Sequence, residues 1–491
     1  MIKRALYRLI KENIVNGELP DEFSLPSYND PGKLRFADGA ADGIAVYHMG
    51  KADMTDDSRT LMEKTIRDAS NGDFEAALRE LSDFAANNTA LSSINDIQDF
   101  IVTNRDGLVP RSIHKFATMC AIGEEKEIVK FGLSILEVFT NPYDNVKDLV
   151  RTLGLSDEFT LFALFNMAVW ENANEEIFSL ARKVHGWGRI HAVERLEPET
   201  DEIKEWLLCE GINNRIAPDY SALTVYNKAE VRKRLDGEMS DKEFHSVCEI
   251  IDALMSEGPV EGISAVDDAE EMLMAFLNRQ VPGHSLDYGI LNTVYYISVQ
   301  YGGKSSAVKS ACDNILHRED AKAVIADSLK KGKGIDIAQA LNLEYRPQLL
   351  KAMRNNFDEV SSECRYLMYD NEFRDKVLDL YREKLPMDSM RTGPQDIMLF
   401  GEEKCHQSLV MLLQELVDFP LCGSDMVELG LQSPIICCRN MALRVIGEWC
   451  EKEQKPLKEL SPELYEQVKL LNEKEPTDSV KGNIAKRKLL I

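Results

Sequence analysis

Apolar residues recur along most of this chain at the spacing of a single helix face. Phe74, Ala77, Leu78, Leu81 and Ala85 fall at i, i+3, i+4, i+7 and i+11. Ile113, Phe116, Ala117 and Cys120 do the same, as do Ile128, Phe131, Ile135 and Val138. Phe244, Val247, Cys248, Ile251, Leu254 and Met255 form a further stripe. A period near 3.6 residues predicts amphipathic helices that bury the stripe and solvate the opposite face. The run from Leu161 to Trp170 is apolar nearly all round, interrupted by Asn166, so its helix should be enclosed by neighbours. Alternation with a period of two rarely persists. Even Tyr295, Tyr296 and Ile297 have flanks that read as a buried helix.

The ends of the helices are legible too. A first helix is expected to run to about Asn16, with Gly17 ending it. Ser240 and Glu243 have capping-box spacing, and Gly258–Pro259 should close the helix they open. Ser433–Pro434 and Ser461–Pro462 each read as an N-cap followed by proline in the first turn. Residues 17–54 break the period with three prolines and repeated glycines. Phe23, Leu25, Tyr28, Leu34, Phe36 and Ile44 nevertheless give that stretch enough apolar surface to lie against the first helices. The reading is therefore all-α, in three parts. These are an N-terminal helix and strap over 1–54, a helical region over 55–260 and a second over 261–491. Helical bundles, an α/α toroid and a solenoid of helix pairs all remain open.

One stretch narrows the choice. In SPIICCRNMALRVIGEW, Ser433 to Trp449, a turn with proline precedes Ile435, Ile436, Arg439, Ala442, Leu443 and Ile446. This resembles the second helix of a HEAT repeat. GWGRIHAVERL, Gly186 to Leu196, is similar, with Arg189 and Ala192 spaced as Arg439 and Ala442 are. The resemblance implies an α-solenoid of HEAT-like helix pairs. It places Arg189 and Arg439 near the stacking turns and makes Ala192 and Ala442 the small residues that let helices approach. It also implies a scaffold or binding module more readily than an enzyme.

Charge shapes the expected partner. The chain carries 83 acidic against 58 basic side chains, a net charge of -25, which disfavours a phosphate backbone and favours a basic protein or peptide. The small basic groups at the termini, Lys3, Arg4, Arg8 and Lys11, then Lys481, Lys486, Arg487 and Lys488, read as solvated ends. Ten cysteines without a CxxC pair, several inside apolar stripes (Cys120, Cys248, Cys312), fit free thiols in a reducing cytoplasm. The apolar runs are too short to span a bilayer, and the basic start reads as a helix, not a signal peptide. No membrane partner, cofactor or metal is expected. No histidine precedes a glutamate, so the His-Glu pairs with which one HEAT-like enzyme group holds di-iron are missing. Cys405 and His406 are adjacent, and on a helix such neighbours point about 100° apart.

Two windows retain candidate chemistry. FADGAADGIAVYHM, Phe36 to Met49, gathers Asp38, Asp42 and His48. Paired carboxylates at i, i+4 could divide acid and base roles, as an enzyme cleaving a neutral polymer such as a glycan would need. The competing reading is structural, with glycine after aspartate marking a turn or a close backbone contact. In the second window, Trp187 and His191 flank Arg189. They could meet a partner, or they could be packing groups of the turn.

Overall fold

The computed structural model describes residues 4–26, 36–50, 54–140, 142–279, 286–399 and 403–490. The protein is all-α. Helices account for 70% of it, and the described residues contain no strand. Ladder-type contact among them is confined to isolated bridges, Val15 with Glu18 and Ile397 with Ile435. The chain forms two compact units, Met1–His284 with Tyr296–Ala311, and Ser285–Tyr295 with Cys312–Ile491.

In the first unit, helices pack on their sequence neighbours. Asp56–Asn71 lies on Phe74–Ala85, Pro110–Ala121 on Lys126–Leu136, and Asp144–Gly154 on Asp157–Ala168. A second set of contacts links alternate helices. Ala90–Thr103, Lys126–Leu136, Asp157–Ala168, Trp187–Arg195, Asp219–Lys228 and Asp241–Leu254 each touch the next in that series. The stripes explain the alternation. Lys126–Leu136 is buried from Ile128 through Leu136, because it meets helices on more than one side. Asp157–Ala168 is similarly enclosed, and Asn166 is satisfied there by donating to the Leu133 and Phe162 carbonyls at 2.9 Å each. Each large side chain so buried contributes roughly 1.5–3 kcal/mol.

In the second unit, Lys404–Leu416 and Ser424–Leu431 both pack on Ile436–Glu453. Pro462–Lys474 covers Ser424–Leu431, and Asp478–Lys486 returns to Ile436–Glu453. Trp449 anchors this core, fully buried, with its indole N–H on the Leu416 carbonyl at 2.7 Å.

Several helix ends match the reading. Ser240 and Glu243 form the capping box, and Ser461 accepts from the Leu464 amide with Pro462 in the first turn. Others differ. The first helix is Leu6–Glu12, ending where the Asn13 side chain donates to the Leu9 carbonyl. Gly17 serves a tight turn instead, in which Asn16 and Gly17 both have positive φ and Val15 and Glu18 exchange backbone hydrogen bonds. The capping-box helix stops at Leu254, before Gly258. Ser433 does not cap Ile436–Glu453. Ile435 holds the N-cap position, while the Ser433 hydroxyl accepts from the Ile435 amide and contacts His406 Nδ1 at 3.1 Å. Leu78 is 42% exposed although the stripe predicts burial, and Phe84 takes the interior position. In the strap Leu25 is buried, Phe23 and Ile44 are half-buried and Phe36 is exposed. Lys3, Tyr28 and Leu34 lie outside the described residues.

Candidate functional site

The two candidate windows of the sequence pack directly against each other. Residues Ala40–His48 form a helix within the otherwise irregular strap, entered through Gly39 at φ 76°. Glycine is required at 39 by that left-handed backbone and by the Asp157 carbonyl beside it. At 43 it is required because a Cβ would enter the Trp187 ring. Thus both Asp–Gly steps mark close approach of the strap to the Asp157–Ala168 and Trp187–Arg195 helices.

Asp38 and Asp42 do not face one another across an open space. Each meets a lysine, and the lysines, Lys126 and Lys130, are themselves one helical turn apart. Lys126 Nζ lies 2.6 Å from Asp38 Oδ1 and 3.3 Å from Glu158 Oε2. Lys130 Nζ is 2.7 Å from Asp42 Oδ2, 2.6 Å from Glu158 Oε1 and 3.2 Å from Glu127 Oε1. The contact with Asp42 is oblique, ionic in character and outside hydrogen-bond geometry. Backbone amides complete the cluster. Leu25 donates to Asp38 Oδ2, Gly39 to Glu158 Oε2 and Ala90 to Glu127 Oε2. The strap is therefore held by a buried ion network spanning three helices.

Burial and charge oppose each other throughout this network. Burial raises the Asp42 carboxyl to about 6, against the pull of Lys130. Burial also works against the Lys130 ammonium, but Glu127, Asp42 and Glu158 outweigh it and hold the charge firmly. Glu158 is desolvated too, yet Lys130 and Lys126 keep it below the usual carboxylate range. Asp157 next to it is raised to about 6 by burial, although it accepts the Gly188 amide at 3.1 Å. Each carboxylate near Asp38 and Asp42 thus meets a lysine or a backbone amide.

The second window is enclosed. Trp187 is 5% and His191 1% exposed. Tyr47 stacks on His191 with centroids 6.0 Å apart, and Tyr220 meets the Trp187 ring at 4.9 Å. His48 is exposed and bonds Tyr220 Oη at 2.8 Å. Burial lowers the His191 imidazole to about 3, so it is neutral here. Arg189 donates to the Val184 and Glu210 carbonyls and lies over Trp206. Arg439 plays the corresponding part in the other unit, on the carbonyls of Ser433, Pro434 and Gln395. Ala192 and Ala442 are both fully buried. Among the described residues, no three His, Cys, Asp or Glu side chains are placed to share a metal ion, Cys405 and His406 included.

What the stripes concealed is a surface feature. Leu78, Ser82, Phe116, Met119, Cys120, Gly123, Glu124, Glu125 and Ile128 line a groove of about 260 Å³. Phe116, Cys120 and Ile128 are its buried floor, while Leu78 and Met119 stand 42% and 46% exposed along its sides. Glu124 and Glu125, both exposed, also line it, just beyond the C-terminus of Pro110–Ala121. That helix end adds the partial negative charge of its free carbonyls. Sequence reasoning missed this groove because Leu78 satisfies the periodicity of a core residue.

The chain matches no known protein family, no curated protein and no solved structure. No described helix is long and apolar enough to cross a membrane.

Proposed function

We propose that this protein is a HEAT-like helical-repeat binding module whose groove receives a basic amphipathic segment of a partner protein. The observation that carries the reading is the groove itself. Its buried floor is apolar, Leu78 and Met119 are exposed in it, and Glu124 and Glu125 make part of its lining acidic. A volume of about 260 Å³ holds one or two large side chains and falls below the roughly 300–1,000 Å³ of drug-sized sites, which favours a peptide over a small molecule. An amphipathic helix lays its apolar face in such a groove, and lysine or arginine on its flank would meet Glu124 and the helix end. The repeat reading draws on the alternate-helix contacts of the first unit and on the turn-capping roles of Arg189 and Arg439. A solenoid of stacked helix pairs produces both.

Fluorescence anisotropy with a labelled Lys/Leu amphipathic helical peptide tests this. Binding should weaken about tenfold or more in Met119→Glu and Leu78→Asp, and on raising the salt concentration. Both side chains are exposed, so melting temperatures should stay within a few degrees of the parent. Equal affinity of parent and variants would refute the groove as the binding surface.

A further inference from the structure

The first unit holds a second hollow that the binding reading does not use. Turns between helices, at Ser156, Lys183 to Gly186 and Arg215, line a cavity of about 210 Å³ together with Leu19, Pro20 and Phe23 of the strap. One water needs roughly 10–15 Å³, and drug-sized sites run to roughly 300–1,000 Å³, so the space suits a small molecule. Ser156 holds the N-cap position of the 12-residue helix Asp157–Ala168. A serine hydroxyl there ordinarily accepts a first-turn amide, yet this one makes no such bond. Ser156 is 3% exposed, and its Oγ has no hydrogen-bond partner. A buried hydroxyl in that state is unfavourable until something meets it.

The charges around the cavity pair off and leave one cation over. Arg215 Nη1 lies 2.6 Å from Asp21 Oδ1, and Lys126 Nζ lies 2.6 Å from Asp38 Oδ1. Asp157 accepts the Gly188 amide at the start of Trp187–Arg195. Burial, with Arg215 and Arg189 adding to it, lowers the His185 imidazole, so it is neutral at pH 7. Among the described residues, the Lys183 ammonium has one polar contact, Ser179 Oγ at 3.3 Å, and no carboxylate within ion-pair distance. The first turn of Asp157–Ala168 adds partial positive charge of its own.

We propose that this cavity binds a small organic monocarboxylate, its carboxylate received by the Ser156 hydroxyl and the Lys183 ammonium and its short apolar body lying against Phe23 and Leu155. The ligand gives the Ser156 hydroxyl the acceptor it lacks and gives Lys183 its counter-charge. One unpaired ammonium calls for one negative charge, and a phosphate dianion would bring a second beside Asp38 and Asp157. Leu155 and Lys183 also line a neighbouring hollow of about 450 Å³, which places the carboxylate where the two spaces meet.

Titration calorimetry of the intact chain with benzoate, acetate and inorganic phosphate tests this. Benzoate should bind at one equivalent, about tenfold or more tightly than acetate, which lacks the apolar body, and more tightly than phosphate. Ser156→Ala and Lys183→Met should each weaken benzoate about tenfold, because each removes a donor to a charged acceptor. The Ser156 hydroxyl bonds nothing in the ligand-free protein, so Ser156→Ala should melt no lower than the parent, and its lost affinity is then not a lost fold. Met119→Glu, in the peptide groove, should bind benzoate as the parent does, which separates this site from that one. Absence of benzoate binding, undiminished affinity in either cavity variant, or tighter binding of phosphate than of benzoate would each overturn the proposal.

Discussion

Lys130 in the first unit and Arg439 in the second are both buried cations, and the two surroundings neutralise them in opposite ways. Arg439 meets one carboxylate, Glu475, through two parallel bonds of 2.7 and 2.8 Å, and spends its other donors on the backbone carbonyls of Ser433, Pro434 and Gln395. Lys130 meets Asp42, Glu127 and Glu158, and Lys126 joins it on the positive side through Glu158. The difference follows from the shapes of the two ions. A planar guanidinium has five donors in fixed directions and can be satisfied by geometry. An ammonium is nearly a point charge, and here it is held by surrounding charge. The arginine site is thus balanced one to one. The lysine site has two ammoniums, Lys126 and Lys130, against four carboxylates, Asp38, Asp42, Glu127 and Glu158. Burial is what raises Asp42 to about 6, with Glu127 and Glu158 adding to it and Lys130 opposing.

The comparison breaks most readily at Glu475. Glu475→Ala leaves Arg439 charged in a site with no solvent exposure, and losing one partner of such a pair costs about 3–5 kcal/mol. Hydrogen exchange should show the Ile436–Glu453 helix losing protection at every pH between 5 and 8, since an arginine cannot shed its charge. Retained protection would mean that the backbone carbonyls alone hold the arginine.

Lys130→Met should have a smaller effect that depends on pH. It leaves Asp42, Glu127 and Glu158 together without their main cation, costing roughly 2–4 kcal/mol at pH 7.5. Carboxylates, unlike arginine, can neutralise themselves by protonation, so the loss should shrink toward pH 5. Urea unfolding at the two pH values measures it. A loss that is constant with pH would contradict the account of an over-anionic cluster.

The smallest effect belongs to Asp42→Asn, and its information lies in the slope. At pH 7 the variant loses an ion pair and also loses a desolvated charge, so stability should change by no more than about 1 kcal/mol. Asp42 has a folded value near 6 against an ordinary 3.8. Between those values the folded chain binds more protons than the unfolded one, so this group makes stability fall as pH rises from about 4 to 6. Glu158, shifted downward, acts in the opposite sense, losing its contribution as pH falls below the ordinary carboxylate range. Asp42→Asn should remove the first contribution and keep the second, so its stability should rise more steeply with pH than the parent's over that window. Parallel profiles would show that Asp42 does not titrate there.

Much of the fold could be read from the chain. The stripes at Ile113–Cys120 and Phe244–Met255, the enclosed helix after Leu161 and the caps at Ser240 and Ser461 rest on contacts within a few residues, which local spacing records. The errors came where a distant partner intervened. Ser433 was drawn away from capping by His406 and the Ile435 amide. Leu78 keeps core spacing, yet it stands 42% exposed. The candidate site was legible only in part. Asp38, Asp42 and Trp187 stood out beside their glycines, but Lys126, Lys130 and Glu158 did not. Lys130 inside the apolar EIVKFGLS is a signal that could have been used, since an uncompensated lysine there would be costly.

Period, caps and composition were enough to determine that this chain is helical, acidic and free of extended sheet among its described residues, because each depends on neighbours along one helix. Tertiary structure decided everything that depends on which helices meet. It turned two aspartates that resembled a catalytic pair into ligands of two lysines nearly ninety residues away, and it closed Trp187 and His191 beneath Tyr47 and Tyr220. It also left Leu78 and Met119 beside an open groove and brought His406 to Cys438. Charge and apolar surface are written residue by residue, but whether a group is paired, buried or exposed is a property of the contacts between elements, and the period of one helix does not name its neighbours.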